Sequence, residues 1–317
     1  MTAKLALGCM NFGKRTSEAE SLAIIERALA AGIDVLDTAN VYNDGASEKL
    51  VGRALREHRG AARAAGAVQV HTKCGMARVN GAPEGLAPAA IVRACDASLA
   101  RLGVDTIDVY YLHAPDPKVP IDDTLGALVE LRRAGKIRDF GVSNYASWQI
   151  LEMFPLCERA GLPRPAISQL LYNLLVRQVE IEYVRFAAKY QLATTFYNPL
   201  AGGLLARAPA AAGAAIPKGS RFESNKQYQK RYWTERMFDA TALLAEAAAA
   251  HDRTLLELAY AWLASRPGVA SILVGPASVA HLDAAIAAIA RPAPPELLAQ
   301  ADAIHARLTG TDATYAR

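Results

Sequence analysis

Short apolar runs alternate with longer amphipathic segments along almost the whole chain. The runs are rich in Ile, Val and Leu and do not alternate strictly with polar residues, which favours strands of a parallel sheet that is covered on its outer face. This pattern predicts eight strands, at Leu5–Met10, Val35–Ala39, Val68–Lys73, Ile107–His113, Ile137–Asn144, Ala166–Tyr172, Ala193–Tyr197 and Ser271–Gly275.

A helix is predicted after each strand, and several of these helices begin at a Ser or Thr that can cap them. They are predicted at Ser17–Ala31, Ser47–His58, Ala89–Leu102, Ile121–Ala134, Trp148–Ala160, Glu180–Tyr190, Thr254–Ser265 and Val279–Ala290. Eight strand–helix units predict an α/β fold of the (β/α)8 TIM barrel type, which commonly reaches this length as one domain, here residues 1–317. An open doubly wound sheet is the alternative, although no G-x-G-x-x-G follows any strand.

The stretch Ala201–Asp239 interrupts the alternation of strands and helices. It is first rich in Ala, Gly and Pro and then basic and aromatic. It predicts a long loop after the seventh strand, and connections of this length are usually functional. The Ala-rich tracts Ala242–Ala250 and Ala284–Ala290 carry larger residues at helical spacing, so we interpret them as ordinary helices.

Four polar side chains lie at or just beyond the ends of predicted strands. Asp37, Lys73 and His113 lie at the ends of their strands, and Tyr42 follows Asp37 by five residues. In a (β/α)8 barrel these strand ends converge on one mouth, where catalytic groups are found. The set therefore predicts an active site. Taken singly, each residue has a structural alternative: an ion pair that only stabilises the mouth, a loop tyrosine or a core histidine.

The composition excludes several other classes of protein. The chain has 52% hydrophobic and 21% charged residues and a net charge of +4, as expected for a globular protein that does not seek polyanions. The basic cluster Lys226–Arg236 is too short to indicate nucleic-acid binding. Four widely spaced cysteines argue against a disulfide scaffold or zinc ribbon and favour a reducing cytoplasm. We expect neither a membrane anchor nor a metal.

The segment from Gly32 to Gly52, which contains Asp37 and Tyr42, resembles the signature of the aldo-keto reductases, NAD(P)H-dependent carbonyl reductases built on this barrel. The resemblance covers nearly the whole chain. No single piece is specific, but the order of the pieces along the chain is. They are Thr72-Lys73, Tyr110-Tyr-Leu-His113, Gly141-Val-Ser-Asn144, Gln169, Tyr197-Asn-Pro-Leu-Ala-Gly202 and Ile272-Leu-Val-Gly275, each at a strand end.

The resemblance implies a role for each of the four polar residues. Reducing a carbonyl requires a proton at oxygen, and a free phenol with a pKa near 10 is a poor donor at neutral pH. We therefore expect the Lys73 ammonium to lower the pKa of Tyr42 and Asp37 to keep that ammonium charged. A neutral His113 would orient the substrate carbonyl and stabilise the developing alkoxide.

The resemblance also implies the cofactor site. Ser143, Asn144 and Gln169 would bind the nicotinamide carboxamide, and Tyr197 would stack beneath the ring. The loop with Asn198, Leu200 and Gly202 would approach the pyrophosphate, and Gly275, Ser278 and His281 the adenosine end. Here the chain departs from the family pattern, because His281 is a weaker partner for a 2′-phosphate than Arg and Ala285 cannot bond adenine. NADP(H) is implied, with NAD(H) left open.

Within the family, the loop with Arg221 and Arg231 and the C-terminal tail at the barrel mouth resemble the aflatoxin-aldehyde and succinic-semialdehyde reductase branch. That branch favours dicarbonyls and aldehydes that carry a carboxylate. Arg231 and Arg317 are the predicted carboxylate anchors, since a guanidinium matches a carboxylate with two parallel donors. The alternatives are a loop folded over the cofactor and a solvated chain end. Apolar pocket walls are predicted at Met10, Phe12 and Trp233, with core packing as the alternative.

Two functions follow from these observations. The first is an aldehyde reductase, monomeric or homodimeric, that binds a small aldehyde and neither nucleic acid nor membrane. The second is a nucleotide-binding regulatory or adaptor protein, since relatives with this fold serve as ion-channel β-subunits. The predicted first strand begins near residue 5, so we expect no N-terminal regulatory extension, and this argues against the second function.

Overall fold

Eight parallel strands close into a barrel in the computed structural model, which describes residues 4–57, 68–211 and 213–309. The (β/α)8 barrel predicted from the sequence is confirmed. The barrel strands are β1 (Lys4–Gly8), β2 (Val35–Asp37), β3 (Gln69–Cys74), β6 (Ile107–Leu112), β7 (Ile137–Ser143), β8 (Ile167–Leu171), β9 (Ala193–Tyr197) and β10 (Ser271–Val274). A small antiparallel hairpin, β4 (Arg78–Val79) and β5 (Ala82–Pro83), follows β3 and was not predicted.

The strands pair in chain order around the barrel, and β10 closes it against β1. All these pairs are parallel. The carboxyl ends of the strands therefore open on one face, where the candidate site lies.

The described helices surround the barrel. They are α1 (Glu18–Ala30), α2 (Ala46–Glu57), α3 (Pro88–Leu102), α4 (Ile121–Arg133), α5 (Ser147–Ala160), α6 (Tyr183–Lys189), α7 (Lys226–Tyr232), α8 (Glu235–Ala249), α9 (Leu255–Ala264), α10 (Val279–Ala290) and α11 (Pro295–Thr309). The predicted caps are present where the side chains of Ser17, Thr254 and Ser278 accept backbone N–H groups. None of the described helices is long and apolar enough to cross a membrane.

The composition of the stretch Ala201–Asp239 predicts a long loop, but only parts of this stretch are loop. Residues 201–206 form a 3₁₀ turn, residues 226–232 form α7, and α8 begins at Glu235. The reason is that the aromatic rings of Phe222 and Tyr232 are fully buried in the main hydrophobic core, so the segment folds against the barrel. The predicted C-terminal tail, residues 310–317, lies outside the described residues.

Candidate active site

A buried ion pair lies beneath the barrel mouth. Asp37 ends β2, Lys73 lies in β3, and the two side chains are 1% and 0% exposed. The Lys73 ammonium donates to one oxygen of Asp37 and also to the Thr38 carbonyl at 2.9 Å. The second oxygen of Asp37 accepts from Nε2 of Gln169 at 2.9 Å. Both buried charges thus have partners, as burial requires.

Tyr42 lies directly above this pair, in the turn that follows β2. Its ring centroid is 5.5 Å from Nζ of Lys73 and 5.8 Å from the ring of His113, which it meets edge to face. Asn43 and Asp44 have positive φ angles of 51° and 53°. Nδ2 of Asn43 donates to the carbonyl of Phe12 at 2.6 Å, which holds this turn against the loop after β1.

The electrostatics at Tyr42 differ from the prediction. Burial raises the pKa of the phenol above its usual range, the Asp37 carboxylate acts in the same direction, and the Arg221 guanidinium opposes them. The sequence predicts instead that Lys73 makes Tyr42 more acidic. The difference arises because burial is the largest influence on the phenol and because Asp37, in contact with Lys73, opposes the effect of the ammonium. Tyr42 is therefore protonated at neutral pH.

His113 is held as a neutral imidazole at neutral pH. Burial, followed by the nearby Lys73 ammonium, lowers the pKa of its imidazole to about 3. Nδ1 is buried and has no hydrogen-bond partner among the described residues. A neutral imidazole carries one N–H donor, which is what orientation of a carbonyl oxygen requires.

Polar side chains at the ends of β7, β8 and β9 form a second group beside these four residues. Ser143 and Gln169 are register partners on neighbouring strands, and both are buried. Asn144 donates to the His113 carbonyl at 2.9 Å, and Tyr197 donates to Oδ1 of Asn144 at 2.7 Å. The group combines a buried hydroxyl, amides and a half-buried aromatic ring, a donor set that fits a nicotinamide carboxamide and its ring.

The turn after β9 brings the backbone close to the mouth. Gly202 has a φ of +72°, and a Cβ added there would lie 2.8 Å from the Tyr228 ring. Oδ1 of Asn198 accepts from the Gly202 N–H at 2.7 Å, and Nδ2 of Asn198 donates to the Tyr232 hydroxyl at 2.7 Å. Leu200 is half-buried in the same turn. These contacts fix a glycine-lined backbone beside Tyr197.

The residues predicted to bind the adenosine half of the cofactor lie where β10 meets α10. The Gly275 carbonyl accepts from Nδ2 of Asn11 at 3.1 Å, and Ser278 caps α10 by accepting from the His281 N–H at 3.2 Å. The His281 side chain is exposed. Ala285 is fully buried, so it packs into the core and offers nothing to a ligand.

The predicted substrate residues do not all reach one place. Met10 is 40% exposed, whereas Phe12 is fully buried, which favours its core alternative. Trp233 packs between the rings of Phe222 and Phe238, with centroids 4.8 and 5.1 Å away. Arg231 is half-buried, and the predicted anchor Arg317 lies outside the described residues.

Asn11, Arg221 and Glu20 lie near the site and are not among the predicted site residues, although Arg221 belongs to the loop that carries the family resemblance. Arg221 donates to Oδ1 of Asn11 at 2.8 Å and contacts the Met10 sulfur, and its charge acts on Tyr42. Glu20 lies at the N-terminus of α10. Their partners are more than 200 positions away in sequence, so no local pattern could indicate them. In the sequence, Arg221 is indicated only as a basic residue within the stretch Ala201–Asp239.

Comparisons with known proteins agree with this geometry. A model described as the aldo/keto reductase family matches residues 4–306. The chain is 37% identical over 246 residues to aflatoxin B1 aldehyde reductase member 2 of Rattus norvegicus, covering 76% of this chain and 65% of that protein, slightly less than two thirds. The protein of the same name from Homo sapiens is 34% identical over 269 residues, 84% of this chain and 70% of that one. A probable voltage-gated potassium channel subunit beta of Oryza sativa is 32% identical over 269 residues, 84% of this chain and 80% of that one.

Proposed function

This chain belongs to the aldo/keto reductase family, and from that membership we propose that it is an oxidoreductase that reduces aldehydes to alcohols with a nicotinamide cofactor. One observation carries the proposal. A protonated Tyr42, a neutral His113 and the buried Lys73–Asp37 pair share one mouth with the amide group around Gln169. A proton donor, a carbonyl-orienting donor and a carboxamide site are the parts that this reaction needs.

Two residues act on the substrate oxygen. The neutral imidazole of His113 donates its N–H to the carbonyl and holds it beside Tyr42, whose hydroxyl gives its proton to the oxygen as negative charge develops there. The chemistry that a nicotinamide would supply, when bound, is hydride transfer, which would bring one hydrogen and two electrons to the carbonyl carbon. Because the pKa of Tyr42 is raised, its proton stays in place until an alkoxide, a much stronger base, is formed.

The Lys73 ammonium lies 5.5 Å from the ring centroid of Tyr42. Burial and the Asp37 carboxylate disfavour a tyrosinate, and the ammonium offsets part of that cost when the proton leaves. The pair is therefore a positioning and electrostatic element, and Tyr42 is the acid.

For the cofactor, Ser143, Asn144 and Gln169 would bind the carboxamide and Tyr197 would stack on the ring. The resemblance implies NADP(H), with NAD(H) as the alternative. For the cell we propose a reducing cytoplasm, which the four free and buried cysteines support, and a monomer or homodimer.

For the substrate we propose an aldehyde that carries a carboxylate, such as succinic semialdehyde. Two relatives are named as aflatoxin B1 aldehyde reductases, so we propose a substrate class wider than one compound, with the dicarbonyls that the family resemblance implies. The guanidinium carbon of Arg231 lies 6.0 and 5.8 Å from the ring centroids of Tyr228 and Tyr232, and its charge opposes the rise in the pKa of Tyr197. The charge of Arg221 opposes the rise in the pKa of Tyr42 in the same way. These are two guanidinium groups beside the reacting position.

Substituting these arginines tests the substrate proposal. We expect Arg231→Gln and Arg221→Gln each to lower kcat/KM for succinic semialdehyde about ten- to a hundredfold, the loss of one charge-assisted pair. With uncharged 4-nitrobenzaldehyde, Arg231→Gln should hardly change the kinetics. Arg221→Gln also removes a charge that acts on Tyr42, so it should lower kcat/KM for both aldehydes, and more strongly for succinic semialdehyde. Lys230→Gln, an exposed neighbour, is the matched control. Equal losses on both aldehydes would assign the arginines to the loop or the cofactor and reduce the proposal to a general aldehyde reductase.

The activity itself is tested with an aldehyde panel that includes both compounds, each assayed with NADPH and with NADH. The absorbance of the reduced cofactor should fall in step with alcohol formation. If either cofactor binds and no aldehyde is reduced, the reductase proposal is wrong.

That outcome would instead favour a nucleotide-binding adaptor, which the similarity to a plant channel β-subunit supports as the second candidate.

A further inference from the structure

Helix α2 begins just after the turn that carries Tyr42, and its first turn contacts the strands of the buried ion pair. Neighbouring residues of a strand point to opposite faces of a sheet. Asp37 and Lys73 point into the barrel, where they bind each other. Thr38 and Thr72, the residues beside them in sequence, point outward and bond side chains of α2.

Glu48, in the first turn of α2, makes the contact to β3. Its side chain is fully buried, and so is that of Thr72. Oε1 of Glu48 accepts from the Thr72 hydroxyl at 2.6 Å, and Oε2 accepts from Nε of Arg101, on α3, at 2.5 Å. Both oxygens of the carboxylate thus have donors, as burial requires. One of these donors lies next to Lys73 in the chain.

Arg101 packs against the turn that carries Tyr42. Gly45 is the last residue of that turn and has a φ of +82°. A Cβ added at Gly45 would lie 2.7 Å from Cδ of Arg101 and 2.8 Å from its Nε. The carboxylate of Glu48 therefore holds β3 with one oxygen and, with the other, holds the arginine that borders the turn.

Ser47 makes the corresponding contact to the ends of β1 and β2. Its hydroxyl donates to the Cys9 carbonyl at 2.8 Å and lies 2.8 Å from the Thr38 hydroxyl. The Thr38 carbonyl accepts in turn from the Lys73 ammonium. Two consecutive residues of α2 are thus bonded to both strands of the ion pair. Tyr42 cannot shift with α2 relative to the pair unless buried hydrogen bonds break.

We propose that Glu48 is a positioning residue that fixes Tyr42 relative to Lys73. It acts through Thr72 on the side of the strand and through Arg101 on the side of the turn. The inference rests on the proposed function and adds to it a residue that lies behind the site. Such positioning matters because a displacement of about 1 Å in an active site can cost about a hundredfold in rate.

A double-mutant cycle separates this role from support of the fold, since a residue that acts through Tyr42 matters only while Tyr42 has its hydroxyl. Thr72→Val keeps the shape of the side chain and removes the donor to Glu48. It is assayed alone and combined with Tyr42→Phe, with 4-nitrobenzaldehyde and the reduced cofactor. Thermal unfolding shows whether each variant is folded.

Thr194→Val is the matched control. Thr194 is also fully buried, and its hydroxyl lies 3.0 Å from that of Tyr183 on α6, a helix that carries none of the four predicted catalytic residues. The substitution therefore removes an equivalent contact between a strand and a helix elsewhere in the barrel.

We expect Thr72→Val to lower kcat/KM about tenfold when Tyr42 is present and less than about twofold in the Tyr42→Phe background. Cofactor affinity measured by titration should not change. The solvent deuterium isotope effect on kcat should rise, because proton transfer from a displaced Tyr42 limits more of the rate. A smaller folded fraction would leave that ratio unchanged. Thr194→Val should change neither kcat/KM nor the isotope effect.

Glu48→Gln is the second variant, and it keeps an oxygen that can accept from Thr72 or Arg101. Its loss should be smaller, about two- to fivefold, because a neutral acceptor replaces a charged one. This loss should also disappear in the Tyr42→Phe background.

Equal losses from Thr72→Val in both backgrounds, or a loss no larger than that of Thr194→Val, would overturn the inference and leave the proposed function standing. If the wild-type chain reduces no aldehyde, both are wrong.

Discussion

At the scale of single residues, the Lys73–Asp37 pair constrains the site most strongly. Both side chains are essentially without solvent exposure, and each has a second partner, Thr38 for the ammonium and Gln169 for the carboxylate. A buried pair of this kind adds little net stability, but removing one member leaves an uncompensated charge in the interior. The effect of the pair on the free energy of unfolding can therefore be measured separately from its effect on turnover.

We predict that Lys73→Met lowers the free energy of unfolding by about 3–5 kcal/mol and abolishes most reductase activity. The double variant Lys73→Met, Asp37→Asn should recover most of the stability, because no charge is left unpaired, but none of the activity. Urea unfolding and steady-state kinetics measure the two effects. Recovery of activity along with stability would show that the pair only supports the fold.

Some residues of the site can be predicted from the sequence, and others cannot. Asp37, Lys73 and His113 were predictable because each polar side chain interrupts an apolar strand at its end. Arg221 and Asn11 were not, since their contact joins two loops 210 positions apart and depends on the path of each loop. The raised pKa of Tyr42 was missed for another reason. It depends on burial and on the cancelling charge of Asp37, which spacing does not reveal.

At the scale of elements, strand and helix positions were predicted well, and their ends less well. Several predicted strands extend past the observed ends, as at Met10, His113 and Asn144. The reason is that an apolar residue or a site residue follows the last residue that pairs with a neighbouring strand. The helix predicted from Glu180 begins at Tyr183, after a 3₁₀ turn. Helix α7 was missed because seven polar and aromatic residues show no apolar stripe.

Tyr232 connects α7 to the barrel mouth. Its hydroxyl accepts from Asn173 at 3.2 Å and from Asn198 at 2.7 Å. We predict that Tyr232→Phe lowers the free energy of unfolding by about 1–3 kcal/mol, because two amide donors lose an acceptor. Trypsin should then cleave more rapidly at Lys230 or Arg231, and the KM for the cofactor should rise. Unchanged cleavage would mean that the aromatic rings alone hold the segment.

At the scale of the whole molecule, the barrel interior keeps two histidines neutral. Burial lowers the pKa of His71 to about 4, with the nearby Asp37 opposing, and that of His113 to about 3. In an unfolded chain both would titrate near pH 6.5. Between pH 6.5 and about 4 the unfolded state therefore binds protons that the folded state does not, and stability must decrease as the pH falls.

We predict a loss of roughly 1.4 kcal/mol per pH unit for each of these histidines below pH 6.5. Urea unfolding at pH 7.0 and pH 5.5 measures the change. His71→Gln should reduce it by one histidine's share. An identical pH dependence in wild type and His71→Gln would show that His71 is not kept neutral by the fold.

Tyr42→Phe tests whether Tyr42 is the acid of an aldehyde reductase. The variant keeps the ring, the ion pair beneath it and the cofactor site, so cofactor affinity measured by titration should stay within about twofold of wild type. Turnover with 4-nitrobenzaldehyde should fall about 10²–10⁴-fold, the usual contribution of general acid catalysis. Tyr260→Phe, a buried phenol on α9, is the matched control and should retain full activity. Turnover of Tyr42→Phe within tenfold of wild type would contradict the account.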